Sequence, residues 1–122
     1  MKLHATRPSG VNTITGYGEG YVMVNGERHS ANVVVMPDRI EQWTVQGFDQ
    51  LGPNDFAFLT TLKAEIVLLG TGARQRFPHP RLTAALAQAG IGLEVMDLQA
   101  ACRTYNILVA EERKVAAALL FA

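Results

Sequence analysis

Apolar positions change their spacing along this chain, and each change predicts an element. In the first third, β-branched and aromatic residues recur through residues 11–17 and 21–24, and Asn25-Gly26 follows. An Asn-Gly pair between such runs predicts a tight hairpin turn, because both central positions need positive φ. The return strand is predicted over about 28–36, ending in Val33-Val34-Val35, with a turn at Pro37-Asp38. Residues 39–45 read as a further strand with Ile40 and Trp43 facing inward.

The period then lengthens. Pro53 suits the first position of a helix, where its missing N–H costs nothing, and Phe56, Leu59 and Leu62 lie on one helical face. Residues 65–69 are apolar on both faces from Ile66 onward, which marks a central strand covered on both sides. Leu82, Ala85, Leu86 and Ala89 form a helical stripe that Gly90 is placed to end. Leu93 and Val95 alternate with Glu94 and Met96 as a strand. Asp97 is a candidate N-cap for a helix carrying Leu98, Ala101, Cys102, Tyr105, Leu108 and Val109 on its apolar side. Residues 115–121 are a second strand apolar on both faces. The order is hairpin elements, then α-β-α-β-α-β. Strand, helix and strand over 65–96 demand a parallel pair with a right-handed crossover. The predicted class is α/β with an antiparallel hairpin portion at the start.

Length and charge narrow the partners. The chain's 122 residues suit one domain, 1–122. Its 11 basic and 11 acidic residues cancel, so a broad polyanion-binding face, and with it nucleic acid, is not expected. Cys102 is the only cysteine, which rules out an intrachain disulfide, and His4, His29 and His79 are too scattered for a metal site. The opening MKLHATRPSG lacks the apolar core of a signal peptide. The longest apolar run, 115–122, has 8 residues, against roughly 20 for a membrane span. A cytoplasmic protein without a membrane span or a cofactor is the expectation.

The most distinctive stretch is LLGTGARQRFPHPRL, residues 68–82. Gly70-Thr71-Gly72 directly after a buried strand looks like the start of G-x-G-x-x-G, and Glu94 or Asp97 lies about where a ribose-binding acid would sit. Two departures weigh against a dinucleotide site. Gln75 holds the third glycine position, and Phe77-Pro78-His79-Pro80 delays the helix whose N-terminus should face the pyrophosphate. A P-loop fails because no Gly-Lys-Ser/Thr follows. A smaller anion site is open: backbone N–H groups of Gly70 and Gly72 with Arg74, Arg76 and Arg81 as forked donors. The plainer alternative is a tight turn in which Phe77 plugs the sheet and the arginines are solvated. Cys102 is the one candidate nucleophile, and free cysteines are mostly small buried apolar residues. Asn106 stands out because its amide competes for backbone bonds in a helix. A packed Asn there needs a specific partner, either a loop backbone or a structural one. Residues 111–114, Glu-Glu-Arg-Lys, read as a solvated connection from which Arg113 could fold back onto a site.

Taken together, GTGARQRFP and the later TYNILVAEERKVAAALL resemble the Mth-type domain family. That family includes mitochondrial complex I assembly factor 3 type proteins, adipogenesis-associated Mth-domain proteins and short bacterial relatives. GYGEGYVMVNGERH, QGFDQLGPNDFAFL and EIVLLGTG fall in the matching order, so the resemblance covers nearly the whole chain, which looks like a compact bacterial form. It implies an α/β fold with a mixed β-sheet, flanking helices, an added N-terminal hairpin and a last strand antiparallel to its neighbours. The family's characteristic positions map onto Gly70, Gly72, Gln75, Phe77 and Pro78 and onto Tyr105, Asn106 and Arg113, which implies one surface with the Asn106 helix beside the loop; Thr71 and Arg74 of the loop complete the candidate binding surface. The family has no established enzymatic activity. Two functions follow from different classes. One is a non-enzymatic interaction or assembly module that meets an unidentified protein partner through residues 70–81. The other is a binder of a small anionic ligand, or an undiscovered enzyme, at Gly70-Thr71-Gly72 and Arg74. A partner surface should expose Phe77 beside the arginines; a ligand site should be concave with convergent donors.

Overall fold

Val33, Val34, Val35 and Met36 are all buried, so their strand must be covered on both faces. The computed structural model describes residues 10–121 and shows how. The N-terminal reading and His4 fall on residues 1–9, outside the described residues. Strands β1 (Ile14–Gly18), β2 (Tyr21–Val24) and β3 (Glu27–His29) form an antiparallel three-stranded meander. A five-stranded mixed sheet holds β4 (Val33–Met36), β5 (Arg39–Gln42), β6 (Ile66–Thr71), β7 (Gly92–Met96) and β8 (Val115–Leu120), in the order β5-β4-β8-β6-β7. Helices α1 (Pro53–Thr60), α2 (Ala84–Gln88) and α3 (Leu98–Ala110) complete the chain.

Alternation along the sheet divides the core into two layers. Val33, Val35, Leu68, Ala117 and Leu119 face α3 and the meander. Val34, Met36, Val67, Leu69, Ala118 and Leu120 face the layer of α1 and α2, together with Trp43 and Phe56. This two-sided cover is why β6 and β8 read as apolar on both faces. Asn25 and Gly26 turn the first hairpin with φ of 53° and 82°. Asp97 caps α3 by accepting from the Ala100 N–H at 2.9 Å. Among the described residues, no helix is long and apolar enough to cross a membrane.

Two expectations need correction. The return strand over 28–36 is two strands in different sheets. In β3, Glu27 and Arg28 are exposed, whereas β4 is buried throughout. One sheet position cannot serve both patterns. Asn32 makes the crossing between the sheets: its Nδ2 donates to the Val45 carbonyl at 2.8 Å and its Oδ1 accepts from the Phe121 N–H at 3.0 Å. The last strand is also not antiparallel to both neighbours. β8 runs antiparallel to β4 but parallel to β6. A helical crossover from β7 through α3 brings the chain back in the direction of β6 and β7, which are themselves a parallel pair.

Candidate functional site

The Gly-Thr-Gly loop ends β6 at its carboxyl end, the side where open α/β sheets commonly hold ligands. Each residue of the loop nevertheless has an internal task. At Gly70 a Cβ would meet Leu119 Cδ2 at 3.0 Å and Ala101 Cβ at 3.1 Å, so the missing side chain lets α3 pack close to the sheet. Gly72 has φ of +83°, a conformation that favours glycine. Its carbonyl accepts from the Leu98 N–H at 2.8 Å and ties the loop to the first turn of α3. Thr71 is buried, and its hydroxyl accepts from the Arg76 N–H at 3.0 Å and donates to the Arg74 carbonyl at 2.7 Å. That single hydroxyl closes residues 71–76 into a fixed loop.

Beyond Thr71 the chain runs over the surface. The Gln75 Nε2 donates to the Val95 carbonyl at 2.7 Å, which holds the segment against β7. The Arg76 guanidinium lies over the Phe48 ring, 4.6 Å from its centroid, a geometry for cation–π attraction. Phe77 does not plug the sheet: it is 70% exposed. Pro78 is half-buried, and Arg74, His79 and Arg81 are exposed. The helix that follows, α2, has only five residues and starts at Ala84. Its N-terminus therefore cannot serve the glycines as a dinucleotide fold requires.

A concave site does lie beside the loop. A cleft of about 590 Å³ opens between Gly72-Ala73, the first turn of α3 and the β1–β2 turn, with Phe121 against it. Its charged lining residues are Glu19 and Asp97, and none of Arg74, Arg76 and Arg81 lines it. The carboxylates are in the concavity and the arginines are outside it. Sequence reasoning overlooked the Gly18-Glu19-Gly20 wall; the signal was a glycine-flanked acid between two strands. Among the described residues, no group of three or more His, Cys, Asp or Glu could hold a metal ion.

The three remaining candidates lie elsewhere. Asn106 is buried on α3 and binds β1 as another strand would: its Oδ1 accepts from the Ile14 N–H at 2.9 Å, and its Nδ2 donates to the Ile14 carbonyl at 2.7 Å. The neighbouring Tyr105 hydroxyl donates to the Asn12 carbonyl at 2.9 Å, and burial raises its pKa. Both residues fasten the meander to α3. Arg113 follows α3 at the far end of β6, where its Nε donates to Glu65 Oε1 at 2.8 Å. That bond holds the Glu65 carboxyl below its ordinary pKa, with help from the Lys114 N–H. The three do not join the loop, because α3 runs back along the sheet and carries its later residues away from Gly72.

Cys102 is fully buried, and desolvation pushes its thiol up to about 12. A nucleophilic thiol needs the opposite shift. We expect a thiol reagent at mildly alkaline pH to leave the native protein unlabelled and to react at once after guanidinium is added. The same burial makes an alkaline prediction. The folded pKa exceeds the unfolded one, so this stability is present below the unfolded pKa, roughly 8.5, and is lost as pH rises toward the folded value. Cys102→Ala should flatten that part of the pH–stability curve. Rapid labelling of the native protein would contradict the buried placement.

Residues 14–120 match the family described as "Protein of unknown function (DUF498/DUF598)". The chain belongs to that family. NADH dehydrogenase (ubiquinone) 1 alpha subcomplex assembly factor 3 of Bos taurus is 34% identical over 109 residues, which cover 88% of this chain and 59% of that relative. The chain thus spans well under two-thirds of that relative's length. A crystal structure of a Bordetella parapertussis protein superposes with a TM-score of 0.86 at 40% identity, covering 93% of this chain and 98% of that one. A solution structure from Bordetella pertussis, described as a Mth938-like domain, gives 0.75 at 35% identity and covers 98% of this chain and 92% of that one. Family and Mth-type fold therefore agree with the resemblance read from GTGARQRFP and TYNILVAEERKVAAALL.

Proposed function

We propose that the protein is a non-enzymatic, assembly-factor-like module that acts in the cytoplasm and presents residues 74–81 to a protein partner. The observation that carries this reading is Phe77, 70% exposed on a loop held rigid by Thr71 and Gln75. An aromatic in solvent on a stretch that also exposes Arg74 and Arg81 has the composition of an interface centre. A fixed loop also loses little entropy on docking. The fitting partner offers an apolar pocket rimmed by carboxylates. The Bos taurus relative is named for an assembly role, which supports a partner-binding reading. The alternative of a small anion held by Gly70, Gly72 and Arg74 lacks convergent donors: Gly70 is packed under α3 and the nearby cleft carries Glu19 and Asp97.

The test is Phe77→Asp in the full chain, with Ile107→Asp as a control at the other large exposed apolar residue among the described residues. Both variants should stay within about 0.5 kcal/mol of wild-type stability, as surface changes usually do. Proteins captured by wild type and by Ile107→Asp should be lost with Phe77→Asp, and Arg74→Glu should weaken the same capture. Identical capture by wild type and Phe77→Asp would remove this surface from the function.

A further inference from the structure

A second cleft opens at the other end of the sheet, where β6 and β8 begin. Its volume is about 790 Å³, within the roughly 300–1,000 Å³ of small-molecule sites. Leu62, Val109 and Val115 contribute a buried apolar floor. Its rim is charged unevenly. Asp38 and Arg39 stand on the β4–β5 turn, and Arg39 is already 3.7 Å from Glu41. Across the cleft, the Glu65 N–H donates to the Lys114 carbonyl at 2.8 Å, which brings residues 63–65 and 113–114 together. On that side Lys63, Glu112, Arg113 and Lys114 line the rim, and the Glu65 carboxylate is held by Arg113 and the Lys114 N–H. Arg113 pairs with Glu65, while Lys63 and Lys114 have no ion-pair partner among the described residues.

Lys63 is conspicuous for its backbone as well. Its φ is 61°, in the left-handed region, which is unfavourable for a residue that carries a Cβ. The position follows α1, where glycine would serve the turn better. Lysine there keeps a cation at the rim at the expense of backbone comfort. Such conformations gather at functional sites.

We infer that this cleft binds an amphipathic anion, with its oxyanion head between Lys63 and Lys114 and its apolar chain on the floor formed by Leu62, Val109 and Val115. Two ammonium groups outside any close ion pair attract a carboxylate or a phosphate alike. The floor requires an apolar body, so inorganic phosphate alone should bind poorly. The site is independent of the docking loop: β6 has six residues, and five rises of about 3.3 Å put its two ends roughly 16 Å apart.

The test uses the full chain and decanoate, followed by backbone amide shifts and titration calorimetry. Decanoate should move the amides of residues 61–64 and 109–115 and leave 72–77 unmoved. Decanol, which lacks the head, and inorganic phosphate, which lacks the tail, should bind at least about tenfold more weakly, a difference of about 1.4 kcal/mol. Decyl phosphate separates the two heads: tighter binding than decanoate identifies a phosphate ligand, and weaker binding a carboxylate. Lys63→Gly with Lys114→Ser should lose about tenfold in affinity while the glycine keeps the loop folded. The Lys114 backbone N–H bond to Glu65 is unaffected by that change. Decanol equal to decanoate, shifts confined to residues 72–77 and 97–99, or unchanged affinity in the folded double variant would each overturn the assignment. So would binding to anionic phosphatidylglycerol vesicles without binding to monomeric decanoate.

Discussion

Replacing Asn106 with leucine should destabilise the protein by about 3 kcal/mol, because two buried backbone groups lose their partners at about 1–3 kcal/mol each, partly offset by the added apolar side chain. The Ile14 N–H and C=O both face inward from β1, and the Asn106 amide satisfies both. No water can replace it without opening the packing around Ile14 and Tyr105, which are almost fully buried. The loss should lower the melting midpoint by on the order of 10 °C for a domain this size. Asn106→Asp adds a sharper signature. Its carboxylate can still accept from the Ile14 N–H but repels the Ile14 carbonyl. The protonated acid can donate to that carbonyl, so the variant's folded pKa is raised. A raised folded pKa means stability recovered as pH falls, so Asn106→Asp should approach wild type in mild acid while Asn106→Leu does not. Denaturant titrations of the three proteins at neutral and acidic pH decide the matter. If Asn106→Leu unfolds within about 1 kcal/mol of wild type, the amide is not holding the meander.

This bond also shows what the sequence could reveal. A packed asparagine inside a helix announces that it needs a partner, but Ile14 lies 92 positions away and nothing local names it. Patterns that depend on one element alone were legible. The two-faced apolar runs around Leu68 and Ala117 could only be covered strands, and Asp97 could be read as a cap from its position before Leu98. Patterns that depend on sheet membership were not. Residues 28–36 look like one strand because periodicity reports which face is buried, not which neighbours a strand pairs with. The family's characteristic positions misled in a similar way. Tyr105, Asn106 and Arg113 follow the loop in sequence, yet α3 carries Asn106 toward β1 and leaves Arg113 beside Glu65. The absence of acids between Ala73 and Arg81 was legible in the sequence. Only the structure shows that Arg74, Arg76 and Arg81 do not line the cleft while Glu19 and Asp97 do.

Gly70→Val should also cost about 3 kcal/mol, the upper end of overpacking penalties, and it tests what the first glycine of the loop is for. Gly70 lies in β6 opposite α3, within a strand rather than a turn, so alanine or valine is allowed by the backbone. Space is the obstacle. A Cβ would stand 3.0 Å from Leu119 Cδ2, 3.1 Å from Ala101 Cβ and 3.7 Å from the Leu98 Cα. Leu119 and Ala101 are fully buried, so the leucine tip can shift a little but the helix must retreat for anything larger. Alanine should therefore cost about 1 kcal/mol and valine about three times that. Pairing Gly70→Ala with Leu119→Ala should recover part of the sum of the two single losses, because the contact at fault is removed from the other side. A ligand-binding glycine predicts a different pattern, with alanine tolerated in folding and harmful only to binding. If Gly70→Ala is as stable as wild type and shows no coupling to Leu119→Ala, close helix packing is the wrong reason for this glycine. A stability loss that the double variant partly restores would assign Gly70 to the scaffold beneath the loop, leaving recognition to the exposed residues from Arg74 onward.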